Sequence, residues 1–172
     1  MADYILQVPL VGQKVGYDAK PLMQMSVQGQ MQQHGFMACW YAAACMVSYF
    51  YAAGPRIGLP PVWQADQGLT LAAIDQLARA EGLKSVPKPA GGLTSDNVIT
   101  LLKTYGPIWA AGRYLDGHPQ AGHAIVLTGV KGPFVLYNDP WEPRAKQRSW
   151  QWINSNLLNL PNALLTKDRG RS

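Results

Sequence analysis

Cys39 and Trp40 open an alanine-rich apolar run, ACWYAAACMVSYF at residues 38–50, and two glutamines, Gln32 and Gln33, stand shortly before it. A buried helix needs neither the thiol nor the amides. At the first turn of a helix, unpaired N–H groups and the helix dipole favour a thiolate over a thiol, and the thiolate is the attacking species in covalent catalysis. Attack on an acyl carbon creates an oxyanion, and losing one of its waiting donors typically costs about 3 kcal/mol or more. A side-chain amide is a neutral donor suited to that task. Gln33, six residues before Cys39, is therefore the candidate oxyanion-hole residue, alongside the backbone N–H of Cys39. Glutamine is frequent here (Gln24, Gln28, Gln30), so chance proximity competes with this reading. Cys45, in mid-run among Ala and Met, reads as a small core residue.

A thiolate needs a base. Of the three histidines, His34 lies in a polar stretch and His118 in the DGHPQ loop, whereas His123 begins the apolar strand HAIVLTGV with Gly122 leaving room before it. A tight turn at 131–133 would pair that strand with FVLYND and bring His123 and Asn138/Asp139 to one end of the hairpin. An acid or amide there can hold the second ring nitrogen and set the tautomer. Asn, Asp and Pro also favour turns, which is the competing explanation of NDP.

The elements that must position these groups follow from periodicity and punctuation. Residues 3–10 read as an edge strand or extended arm. Residues 38–53 form a buried helix stopped by Gly54-Pro55, and 55–68 a loop. A second helix runs over about 70–81, capped by Thr70, with Leu71, Ile74, Leu77 and Ala78 on one face. A third covers about 95–105, capped by Thr94 or Ser95, with Val98, Leu101, Leu102 and Tyr105 as its stripe. PIWAAGRY, HAIVLTGVKG and FVLYNDP read as strands, and the end as a short helix and a final strand. Helices first and strands later, without βαβ alternation, imply an α+β fold with an antiparallel sheet.

Composition narrows the classes. With 48% hydrophobic and 15% charged residues, the composition fits a globular protein and argues against disorder. The net charge of +5 is scattered apart from RAKQR (144–148) and the tail KDRGRS, which read as solvated charge; no aromatic-basic module supports nucleic-acid binding. No apolar stretch approaches the ~20 residues of a membrane span. The start lacks the pattern of a Sec signal peptide, so the expectation is a protein made to work in the cytosol, or one that leaves by a route that reads no cleavable signal. On one helix, Cys39 and Cys45 would be ~9 Å apart along the axis, beyond the ~7 Å limit for a disulfide. The spacing of His34, Cys39, Cys45 and His118 fits no structural zinc module, so no zinc site is expected there.

Gln33 six residues before Cys-Trp, then GHAIV, then NDPW resembles a papain-like cysteine peptidase, with the order Cys, His, Asp/Asn intact. Trp141, two residues after Asp139, matches the spacing of the tryptophan that screens the orienting amide in papain; this favours Asp139 over Asn138 as third member, with Asp in place of the more familiar Asn. VPL…Q…ACWYAAACMV and GHAIVLTGV…YNDPW are similar, over roughly residues 6–141, to the short avirulence-effector branch of phytopathogenic bacteria. The resemblance implies one papain-like domain over 1–172, with a helical lobe (about 1–105) carrying the nucleophile helix and a β-sheet lobe (about 106–172). It implies cofactor-free hydrolysis of a protein or peptide substrate by Cys39, His123 and Asp139. A specialised secretion route, and a cognate inhibitor or immunity protein as a further partner, are expected with it. Peptidoglycan amidase or endopeptidase, deamidase and acyltransferase chemistries use the same triad, and a non-catalytic groove binding a peptide is a different class. Trp40 and Tyr41 are expected in the core; Trp63 and Trp109 are open as cleft residues.

Overall fold

The computed structural model describes residues 3–10, 39–51, 71–114, 122–141 and 144–168. Their elements are β1 (Tyr4–Ile5), α1 (Cys39–Phe50), α2 (Leu71–Glu81), β2 (Leu83–Ser85), α3 (Ser95–Tyr105), β3 (Ile108–Gly112), β4 (His123–Lys131), β5 (Phe134–Asp139), β6 (Arg144–Ser149), α4 (Trp150–Asn156) and β7 (Leu164–Lys167). The strands join in one antiparallel sheet in the order β2-β7-β3-β4-β5-β6, and β1 pairs with β4 as well. Helices and an antiparallel sheet are thus mixed, as the α+β reading expects. Gln32, Gln33, His34, Gly54-Pro55, the 55–68 loop, Trp63, Thr70 and His118 lie outside the described residues.

Local signals account for most elements. Thr94 caps α3 in a reciprocal box: its hydroxyl accepts from the Asn97 N–H, and the Asn97 side chain accepts from the Thr94 N–H. Lys131 and Phe134 close the β4–β5 hairpin, with Gly132 at φ +56° in the turn. Two strands carry no such signal. In β2 only Leu83 is buried, so three residues show no periodicity. β6 is the RAKQR stretch read as solvated charge; it pairs along β5 from Asp139↔Arg144 to Phe134↔Ser149. Its charges suit a sheet edge, where they oppose pairing with another chain.

Alternate residues of the central strands feed two cores. Trp109, Ala111, Ala124, Val126 and Leu165 pack with α1 and α2. Ile108, Ala110, Ile125, Leu127 and Leu164 pack with Val98 and Leu102 of α3 and Ile153 of α4. Helices therefore cover both faces of the sheet, β1 and β2 enter it from the first half of the chain, and α4 comes from the second. Ala42, Ala43 and Ala44 are wholly buried, and such small side chains let α1 approach the sheet closely. Trp40 is buried as expected, and Trp109 is wholly buried rather than open to a cleft. The indole N–H of Trp109 donates to the Trp40 carbonyl at 3.1 Å, tying the start of α1 to β3.

The arm at residues 3–10 joins β4 just beyond the start of β3, whose first residue, Ile108, stands opposite Leu127. Ile5 stands opposite Gly129, and the Leu6 N–H donates to the Thr128 carbonyl at 2.8 Å. A Cβ at Gly129 would meet the Tyr4 carbonyl oxygen at 2.6 Å and Ile5 Cα at 3.0 Å. Gly129→Ala should therefore loosen the arm, exposing the Leu6 amide to hydrogen exchange and lowering stability by about 1–3 kcal/mol in thermal unfolding; unchanged Leu6 protection would contradict this account.

Candidate active site

Cys39 is the first residue of α1, His123 the first of β4 and Asp139 the last of β5. The pairing Val126↔Asn138 sets His123 and Asp139 on one face of the sheet as diagonal neighbours across β4 and β5. Their side chains meet: His123 Nε2 lies 2.8 Å from Asp139 Oδ1. The imidazole also hydrogen-bonds to Cys39, and with Nε2 committed to Asp139 the nitrogen left for the sulfur is Nδ1. The dispersed trio Cys39, His123 and Asp139 is thus one contiguous chain of contacts. All three are buried, at 3%, 1% and 2% exposure, which keeps bulk water from the ionisable atoms.

Asp139 is held on both oxygens. Oδ1 also accepts from the Trp141 N–H at 2.9 Å, a turn contact made possible by the two-residue spacing in DPW. Oδ2 accepts from Lys146 Nζ at 2.8 Å, from a lysine side chain 16% exposed. Sequence reading missed Lys146, because it stands in a stretch that looks like solvated charge. The register Asp139↔Arg144 would have found it, since Lys146 is then diagonal to Asp139 on the same face.

Asn138, the alternative orienting residue, belongs to the opposite face. Its side-chain amide donates to the Val8 carbonyl at 3.1 Å and anchors the N-terminal arm. Cys45 is wholly buried in mid-helix. Gln33 lies outside the described residues. Among the described residues no group of three His, Cys, Asp or Glu side chains gathers as a metal site.

Electrostatics follow from these contacts. Burial disfavours a charged imidazole, but hydrogen bonds to Asp139 and Cys39, and the charges of both, outweigh it; the His123 pKa is pushed up from 6.5 to about 9. Burial likewise favours a neutral Asp139. The His123 hydrogen bond and charge, the Lys146 ammonium and the Trp141 N–H together hold its carboxyl below the usual carboxylate range. Near neutral pH the site accordingly holds an imidazolium beside an ionised carboxylate.

A family model described as papain-like cysteine protease AvrRpt2 matches residues 21–158. The chain belongs to that family. It is accordingly a cysteine protease, a hydrolase acting on protein substrate. The matched span takes in α1, β4, β5 and β6, and hence every residue of the contact chain from Cys39 to Lys146. Among the described residues no helix is long and apolar enough to cross a membrane.

In a ring-carbon NMR titration, His123 should keep its proton through neutral pH and release it at about 9. Asp139→Asn should bring that titration down towards the ordinary histidine range, because the carboxylate charge is gone. A wild-type value near 6.5 would contradict the electrostatic account.

Proposed function

We propose that Cys39 is the nucleophile of this protease, His123 its acid and base, and Asp139 the residue that orients the imidazole. The observation that carries the reading is the 2.8 Å contact of His123 Nε2 with Asp139 Oδ1, made where the same ring meets the sulfur at the start of α1. Three chemically matched groups in that order and contact support an acyl-transfer reading.

In this mechanism Cys39 Sγ⁻ attacks the peptide carbonyl carbon. A C–S bond forms while the carbonyl π pair moves onto oxygen. The Gln33 amide and the Cys39 N–H are the proposed donors to that oxyanion. His123⁺ gives its Nδ1 proton to the amine, the C–N bond breaks and a thioester remains. The neutral imidazole then takes a proton from water, the hydroxide adds to the thioester, and the carboxylic product leaves as the C–S bond breaks. Asp139 keeps the Nε2 proton in place throughout, so Nδ1 alone shuttles. The substrate crevice lies in this reading between the start of α1 and the ends of β4 and β5, the boundary between a helical and a sheet lobe of one papain-like domain.

The same reading extends to context. The protein acts as a secreted bacterial effector or toxin, delivered by a specialised system and met by a cognate inhibitor or immunity protein. The avirulence name in the family description supports the effector part.

Cleavage of an unfolded protein, followed by mass spectrometry of new N-termini, tests the assignment. Cys39→Ala and His123→Ala should each lower turnover by ~10⁴-fold or more. Cys45→Ala should leave activity largely in place, with a modest loss of stability. Asp139→Asn should cost less than His123→Ala. Equal losses for Cys39→Ala and Cys45→Ala would overturn the nucleophile. kcat/KM should fall as the pH rises past about 9, because the imidazolium that protonates the leaving amine is then lost.

A further inference from the structure

Lys146 is the one member of the contact chain with no part in the steps above. Its ammonium lies 2.8 Å from Asp139 Oδ2, on the oxygen that does not face the imidazole. Every described group around the carboxylate is a donor: His123 Nε2 and the Trp141 N–H at Oδ1, and Lys146 at Oδ2. Resting on the triad reading above, we propose that Lys146 is a positioning residue of the active site, and that its ammonium is what requires a carboxylate rather than an amide at position 139.

The hydrogen-bond inventory makes the case. A carboxylate accepts on both oxygens, whereas an asparagine accepts on one side and donates on the other; an ammonium only donates. With Asn at 139 and its oxygen kept on His123, the NH₂ would confront the Lys146 ammonium, donor against donor. With the amide turned to satisfy Lys146, its NH₂ would point at His123 Nε2 and the Trp141 N–H. Nε2 would then have to give up its proton to accept, and the imidazolium could not form. Either arrangement leaves a buried polar group unmet, which costs free energy that a solvated surface pair would not. Lys146 thus selects the acid.

It also sets the charge the imidazole feels. An unopposed buried carboxylate would hold the imidazolium more tightly; paired with Lys146 it presents hydrogen-bond acceptors with little net charge. Among the described residues, the other titratable groups facing this point are His123 from β4 and, through its ring, Cys39 from α1; Arg144, opposite Asp139 in the β5–β6 ladder, is exposed. Among the described residues Lys146 is the cation that contacts Asp139 besides His123.

The test is a cycle of four proteins: wild type, Asp139→Asn, Lys146→Met and the double variant. Two readouts are used. One is hydrolysis of an unfolded protein; the other is the pH dependence of Cys39 alkylation by iodoacetate, an anion drawn to the imidazolium, located by peptide mapping. Adding Lys146→Met to Asp139→Asn should raise the hydrolysis rate by ~10-fold, the lower end of what a supporting residue behind an active-site ligand commonly contributes. Lys146→Met alone should lower it. The upper limb of the alkylation profile should order by local charge: Asp139→Asn lowest, Lys146→Met highest by about one unit over wild type, the double variant close to wild type. A lysine that merely ties β6 to β5 would make the double variant worse than either single and would not order the limbs. If the double variant is no faster than Asp139→Asn, the inference is wrong. Cys39→Ala, assayed alongside, separates the two levels: its inactivity with no rescue sinks the Lys146 role alone, and its retained activity sinks the triad reading.

Discussion

A carboxylate with 3% of its side chain exposed must be either neutral or surrounded. Asp139 is surrounded, by an imidazole, a backbone N–H and an ammonium. That enclosure is the condition on which the rest of the site stands. With the carboxylate ionised, His123 keeps a proton at Nε2 and presents Nδ1 to the sulfur; with it neutral, the ring would lose both its orientation and much of its reason to be charged. Burial works against each charge taken singly. The carboxylate is stable there because it lies between the imidazole and the Lys146 ammonium and each of its oxygens accepts from a donor.

The sheet supplies this row by regularity. Diagonal positions on one face of adjacent antiparallel strands put His123, Asp139 and Lys146 in line across β4, β5 and β6. One residue of slip in either ladder would carry the following member to the opposite face, where Asn138 instead holds the N-terminal arm. The thiol arrives from another layer. Alanines seat α1 close on β3 and β4, and the Trp109 indole holds the carbonyl next to Cys39. Hydrophobic packing brings the helix in, and one hydrogen bond sets where its first turn ends up.

Much of this was legible in the sequence, for a physical reason. Cys39, His123 and Asp139 each sit at the end of an element whose boundary has strong local chemistry: an apolar run opening, a β-branched run opening, and an Asn-Asp-Pro turn. The tight Gly132 turn then fixes one strand against the next, so two of the three could be placed together. What lay hidden depended on tertiary pairing. β2 buries one leucine and has no period to read. β6 is a charged edge held by its neighbour's backbone, so Lys146 looked solvated. The stripes of α2 and α3 announce a buried face but not which side of the sheet it meets, and both sides are used. Trp109, open as a cleft residue by type and position, is wholly interior.

Among the described residues β6 ends the strand order, with β5 as its strand neighbour. The cation beside Asp139 is therefore carried by the margin of the sheet, while the imidazole stands on a central strand. Margins of this kind open locally at far lower free energy than the interior unfolds. On the positioning role proposed for Lys146, a neighbour that clamps or peels this outer ribbon would act as a dial on the thiol without touching it.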